Sequence, residues 1–468
     1  MSPIVFLVMF GWIPAVLYLF SRFPPQKAVV ISFVFAWLFL PMAEIVLPGI
    51  PNYTKMSATC YGVVLATFIF DSDRFSTFQP RWIDIPMTLW CIAPLIASIS
   101  NNLGLYDGVS AVLTQSVSWG LPYFLGRLYL GNLSGAKHLA TAVFVGGLAY
   151  MPLCLLETRI SPQLHRLVYG YHAFADFSQS MRYGGYRPTV FMQHGLAVGV
   201  WMMAATLAGI WFWHTGVIKK VGGYKLKVLV PALFITFFLC KSTGAYILLL
   251  VGVLILFMAK YLRTPLLLIV IIGFICFYLN LGISGVITPE VREGIRIQLT
   301  QVLDEERAGS LDFRLANEEI LSEKARERML FGWGGWGRAR VYNDEGEDIS
   351  VTDSLWIIAY GNYGVFGLSS LTASMLVPAA LFAFMAYPVR LWAHPQVASA
   401  AVLVVVVTLF MLDCVLNAMP NPVFTLASGS ISGLVVNPTP LKRRQPKSRC
   451  LHAHTAYPVK AAQVAISK

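Results

Sequence analysis

A spanning helix needs about 20 mostly apolar residues, and this chain supplies such runs one after another. They lie near 3–20, 28–47, 56–70, 85–100, 109–130, 139–156, 196–214, 228–240, 246–262, 266–285, 357–387, 397–417 and 422–437. Lipid offers no partner for a backbone N–H or C=O, so a segment in it must satisfy its own, and long apolar runs do so as helices. The expected fold is an all-α polytopic membrane protein with about 12–13 transmembrane helices. Charge agrees: 12% of the residues are charged, about half the share in soluble domains. The mean hydropathy is +0.65. Much of the net charge of +12 lies in short connections and in the tail. That distribution names the lipid bilayer as partner and gives no sign of nucleic acid.

Lys and Arg in short connections set orientation. Arg22 and Lys27, Arg74 and Arg81, Arg127 and Lys137, Lys219 to Lys227, Lys260 and Arg263, Arg390 and the Lys442-Arg443-Arg444 tail fall on alternate connections. The N-terminus is then outside, the C-terminus cytoplasmic, and both long connections are on the outer face. The first span has no basic leader and no small-residue cleavage site, so it reads as retained. Four regions follow: a transmembrane bundle over 1–285 with an outer connection at 157–195, a large extracytoplasmic loop over 286–353, C-terminal transmembrane helices over 354–438, and a basic cytoplasmic tail over 439–468. Six of the seven cysteines fall in apolar runs and Cys450 in the tail. None has metal or disulfide spacing, which makes them packing residues.

The first outer connection carries Arg159, Arg166, Arg182 and Arg187, against the tendency of cations to stay inside. Either an anionic ligand is met there, or the loop is solvated with ion pairs to Glu157 and Asp176. The second is expected to hold two helices. Pro289–Glu305 shows an apolar stripe of Val291, Ile295, Leu299 and Val302. The next helix would start at Ser310 as N-cap and run to Arg328, with Phe313, Ala316, Ile320 and Leu321 on one face. Gly332, Gly334, Gly335 and Gly337 then stop it and, with Trp333 and Trp336, form a Gly/Trp loop. Asn343 to Asp348 reads as an exposed acidic loop.

Arginine guanidinium groups hold phosphate oxygens bidentately and stay charged. Arg314, Arg338, Arg340, Arg159, Arg182 and Arg187 all fall outside, and Trp336 accompanies them in the Gly/Trp loop. Asp353 stands just before the apolar run from Leu355. It is either a general base at the membrane mouth or an ordinary helix cap. Lys241 either snorkels or faces the same cavity. Glu44 and Asp413, acids within apolar runs, are expected to be structural hydrogen-bonding groups. The sequence has no P-loop, no dinucleotide glycine fingerprint and no HExxH. An outside enzyme without ATP needs a substrate already activated, and a lipid-linked pyrophosphate sugar has that property.

These segments together resemble the O-antigen ligase and polymerase-like membrane proteins. Cys240-Lys241-Ser242-Thr243-Gly244-Ala245 is similar to the family's Ser-Arg-Gly-Ala-type end of a span. Phe313-Arg314 through Leu330-Phe331-Gly332-Trp333-Gly334 resembles its Arg … Pro-Leu-x-Gly-x-Gly run. Asp353-Ser354-Leu355-Trp356 through Gly361 to Gly367 resembles its His-Asn-x-x-Leu … Gly-x-x-Gly run, and Asn421 to Gly429 its last span. The resemblance covers the C-terminal half. It implies a GT-C-like glycosyltransferase of the bacterial inner membrane, needing no cofactor or metal. Such an enzyme moves glycan from an undecaprenyl-pyrophosphate-linked oligosaccharide to an acceptor glycan or glycolipid, for the cell envelope or an exopolysaccharide. Arg314 and Arg338 match the arginines that hold pyrophosphate. Arg187, Arg182, Arg159, Lys241, Arg340 and Trp336 join them as substrate-binding candidates. Asp353 departs from the family's His, which leaves ligase and polymerase both open. A polysaccharide or lipid-linked oligosaccharide transporter is the alternative. Transporters often carry repeated halves, and no repeat is visible here.

Overall fold

A computed structural model describes residues 2–49, 51–174, 177–182, 184–286, 293, 294, 297 and 305–441. The expected Pro289–Glu305 stripe, Asp176, Cys450 and the basic tail from 442 lie outside the described residues. The protein is mostly helical. The strands among the described residues are three antiparallel pairs of two-residue segments, one of them Met181–Arg182 with Gly185–Tyr186.

Among the described residues, seven helices are long and apolar enough to cross a membrane: Pro3–Arg22, Trp82–Ser100, Leu133–Ile160, Gly195–Thr215, Thr243–Tyr261, Leu266–Ser284 and Leu355–Ala386. Pro25–Phe39, Lys55–Phe70, Leu226–Leu239, Ala398–Asp413 and Pro422–Val436 are apolar but shorter. One further expected span is composite, with Leu105–Gln115 passing through a π-helical turn at Ser116–Gly120 into Leu121–Leu130.

Small residues let these helices close up, as membrane interfaces favour. A Cβ at Gly126 would lie 2.1 Å from the Leu426 carbonyl oxygen, and one at Gly429 would lie 1.9 Å from that of Tyr123. Ser430 donates across the same contact to the Leu130 carbonyl at 2.6 Å. Below it the buried Arg127–Asp84 pair closes at 3.2 Å, and Tyr123 donates to the same Asp84 carboxylate.

The connections sort to two ends of the helices. At one end Met42 meets His165, Asn101 meets Gly332, Asp107 meets Arg338, Arg182 meets Lys241, and Gln193 meets Met419. The connections with Arg22, with Arg74 and Arg81, with Lys219 to Lys227 and with Arg263 leave the opposite ends of the helices.

One helix is broken. Within Leu355–Leu381, Gly364 has φ 63° and ψ −164°, a conformation essentially restricted to glycine. The segment before the Gly/Trp loop fills the break. Val365 and Phe366 donate to the Met329 and Leu330 carbonyls, while Trp333 and Gly334 donate to those of Gly361 and Asn362. The segment that ends in the Gly/Trp loop and the run from Gly361 to Gly367 are therefore hydrogen-bonded to each other. Broken helices survive at membrane depth only where protein satisfies the freed groups, and here it does.

Two expectations about the second helix of the large loop, the capping helix, change. The helix runs Glu305–Arg326, so Ser310 lies inside it and is not its N-cap; the glutamates before it are good helix formers. Its buried face is Leu315, Glu318, Leu321, Ser322 and Ala325, with Asn317 beside them, while Phe313 is 53% exposed. The expected stripe followed hydrophobicity. The real one includes three polar side chains that have partners.

Candidate active site

Arg314 sits on the Glu305–Arg326 helix one turn before Glu318. Its Nη1 donates to the Leu416 carbonyl at 2.8 Å and to Asn417 Oδ1 at 3.2 Å. Its Nε lies 3.6 Å from the Asp353 carboxylate. Asn417 in turn donates to Asp413 at 2.9 Å, so Asp413 hydrogen-bonds as expected, and within the arginine's own network. Glu44 also has a partner, accepting from Asn52 at 3.2 Å.

Asp353 is not the helix cap. The broken helix starts at Leu355 with Ser354 as N-cap, and no side chain caps it. The Ser354 hydroxyl instead donates to Glu318 at 2.6 Å. The Asp353 carboxylate, 37% exposed in its side chain, is left facing Arg314 at the mouth.

Glu318 escaped the sequence reading. It is 8% exposed and accepts from Ser354, from Trp356 Nε1 at 3.0 Å and from Tyr278 at 2.6 Å. Burial pushes its carboxyl above the ordinary carboxylate value, while these three donors and Arg314 pull it back. One side chain thus ties the Glu305–Arg326 helix to the Leu266–Ser284 helix and to the start of the broken one. A polar residue at helical spacing with Leu315, Ser322 and Ala325 was the only signal available.

The first long connection is built from inside. Glu157, an ion-pair partner in the solvated-loop alternative, is fully buried and accepts from the N–H groups of Leu164, Thr189 and Val190. This fixes the backbone beside Arg187, itself 6% exposed. Gly195 makes room for it, since a Cβ there would meet Arg187 Cδ at 2.2 Å. Arg187 donates to the Lys241 carbonyl at 3.3 Å, and Lys241 Nζ to the Arg182 carbonyl at 3.1 Å. Lys241 therefore holds the Met181–Arg182 strand.

His194 reports how close the arginines are. Burial first, then the charges of Arg187, Arg182 and Arg314, push its imidazole down to about 4. It is neutral near pH 7. Its Nδ1 accepts the Leu196 N–H at 3.1 Å, which leaves the proton on Nε2, 3.0 Å from Gln179 Oε1. Arginines from two separate connections act on one ring.

The remaining candidates lie apart from that ring. Arg338 donates to Asp107 and to the Gly335 carbonyl. Arg340 pairs with Asp348 and reaches Thr352 at 3.2 Å, so the acidic stretch is more than a solvated loop. Trp336 is 75% exposed with φ 64°, a left-handed backbone that costs a non-glycine residue about 1–2 kcal/mol. Arg159 is exposed on the last turn of Leu133–Ile160. It stands two residues past the buried Glu157, roughly 200° round the helix, and faces away from this network.

No family model matches the chain, and no match to a curated protein was found.

Proposed function

We propose that the protein is a membrane glycosyltransferase of the O-antigen ligase or polymerase type, GT-C-like in fold, acting at the outer face of a bacterial inner membrane. The Arg314–Asp353 pair beside the arginines around His194 carries this reading. In it the shorter apolar helices also cross. At 14–16 residues they span about 21–24 Å, which local thinning of the bilayer accommodates.

Arg314, Arg187 and Arg182 hold the pyrophosphate of an undecaprenyl-pyrophosphate-linked oligosaccharide. Asp353 accepts the proton of the acceptor hydroxyl as its oxygen attacks the sugar's anomeric carbon. The bond from that carbon to the phosphate oxygen breaks, and undecaprenyl pyrophosphate leaves with the electron pair. The arginines are then stronger ligands for the leaving group than for the substrate, which is the requirement for catalysis. A diphosphate reaching Arg338 would compete with Asp107 for it, which makes Arg338 the secondary contact.

The test uses purified protein, a lipid-linked pyrophosphate oligosaccharide and a glycan acceptor, without nucleotide and with EDTA. Release of undecaprenyl pyrophosphate and growth of the glycan are followed for wild type and Arg314→Ala. Transfer by the wild type alone is expected. Normal transfer by Arg314→Ala removes Arg314 from the site. Binding without transfer, across several donors and acceptors, replaces the enzyme with a transporter.

A further inference from the structure

We infer that a cleft at the same end, away from Arg314, is a binding subsite for an uncharged oligosaccharide. Its ligand class follows from the lining, and its place in a transfer reaction rests on the reading above. The cleft has a volume of about 650 Å³, within the range of small-molecule sites. Its walls come from the 44–54 hairpin, the Lys55–Phe70 helix, the Leu105–Gln115 helix with its π-helical turn, and the Gly335–Trp336 loop against the break in the Leu355–Leu381 helix.

The chemistry of the wall alternates. Hydroxyls and amides come from Asn52, Ser110, Thr114, Ser118 and Asn362. Between them stand the rings of Tyr61, Tyr106 and Trp336, which are 43%, 71% and 75% exposed. A pyranose presents the same alternation: hydroxyls on its rim and apolar C–H faces that stack on aromatic rings. Exposing a large indole on a left-handed residue has no packing benefit, and a sugar face would supply one.

Gln115 gives independent support. It lines the cleft, is 9% exposed, and its amide nitrogen is buried with no hydrogen-bond partner among the described residues. Buried polar groups are nearly always paired, and one that is not calls for a ligand or an ordered water. Gln115 stands where the helix passes into the π-helical turn, a deformation frequent at functional sites.

Charge separates this cleft from the arginine cluster. Among its described lining residues there is no Lys or Arg, and its acids are Glu44 and Asp107. Asp107 is held by Arg338. A phosphate would find no cation in the described lining and only Arg338 behind Asp107, whereas neutral hydroxyls find donors and acceptors. Asn362 also lines a cavity of about 170 Å³ with Arg340 and Thr352, the residue before Asp353. Asn362 is thus shared between the cleft and a smaller cavity whose wall includes Thr352, next in the chain to Asp353.

The experiment takes the full chain in a detergent without a sugar headgroup and applies it to an array of neutral and acidic bacterial oligosaccharides. The tightest binder is then titrated against wild type, Gln115→Leu, Trp336→Ala and Tyr224→Ala, the last an exposed aromatic on a different connection. Size-exclusion profiles confirm that each variant is folded. Binding of neutral glycans, weakened about tenfold by Gln115→Leu or Trp336→Ala and unchanged by Tyr224→Ala, supports the subsite. No glycan bound by the wild type, binding confined to acidic glycans, or affinity untouched by both cleft variants overturns it. The two readings fail separately. Glycan binding without any transfer leaves the subsite standing and removes the enzyme. Transfer with an unchanged acceptor KM in both cleft variants does the reverse.

Discussion

Glu318→Ala is the perturbation whose cost follows most directly from the structure. The substitution leaves the Ser354 hydroxyl, the Trp356 indole N–H and the Tyr278 hydroxyl without their acceptor. Ser354 and Trp356 are 1% and 4% exposed, so water does not replace the carboxylate for either. A buried donor left unpaired costs about 1–3 kcal/mol. Tyr278 is only partly buried and adds less, so the expected loss is about 2–6 kcal/mol. Glu318→Gln keeps an oxygen for the two buried donors, and the tyrosine can turn to accept from the amide. Its cost should stay within about 1 kcal/mol. The assay is equilibrium unfolding in mixed micelles as the fraction of denaturing detergent rises. The pH dependence gives a second signature. Burial raises the folded carboxyl above its ordinary 4.5, so the folded state holds the proton more tightly. This contribution to stability is complete below that ordinary value and is lost as pH rises through the raised one. Glu318→Gln should flatten that slope. Glu318→Ala as stable as wild type would refute the claim that this carboxylate fastens the capping helix.

Asp353→Asn should abolish transfer while costing less than about 1 kcal/mol, because its ion pair is partly exposed and Ser354 holds the cap position; a loss of stability matching the loss of turnover would make Asp353 structural. Gly364→Ala should cost at least about 3 kcal/mol or prevent accumulation, since its Cβ would sit 2.3 Å from the Leu330 carbonyl oxygen. Gly273→Ala, in open space on a helix, is the control and should be neutral or slightly stabilising in the same unfolding assay. Arg338→Ala should reduce transfer less than Arg314→Ala, read as kcat/KM for the lipid-linked donor; equal losses would place both arginines on the pyrophosphate.

Hydropathy made the bundle legible because each helix must satisfy its own backbone in lipid. The positions of Arg314, Arg187 and Asp353 outside the apolar runs were visible for the same reason. Their partners were not. Arg338 finds Asp107 from 231 residues away, and His194 feels arginines from two connections, neither of which leaves a local pattern. Glu318 was hidden differently: an acid on a charged helix reads as solvated, and only the tertiary fit of Tyr278, Ser354 and Trp356 makes it the buried one. The broken helix was half legible, since the glycines were evident but the segment that fills the break was not.

That break has a consequence for biogenesis. A ribosome delivers this chain from the N-terminus, so Asn101 and Asp107 are in place before the Gly/Trp loop appears. The 329–334 segment then precedes the break it fills by only about 30 residues, a short closure with a small entropic cost. The broken helix can thus be completed almost as it emerges, with its receiving loop already made. The 414–421 turn that accepts Arg314 is synthesised later, after another apolar helix has been threaded. Completion of the Arg314 site is therefore a late event, and a chain truncated before Leu416 should carry Arg314 with Asp353 but without its Leu416 and Asn417 partners.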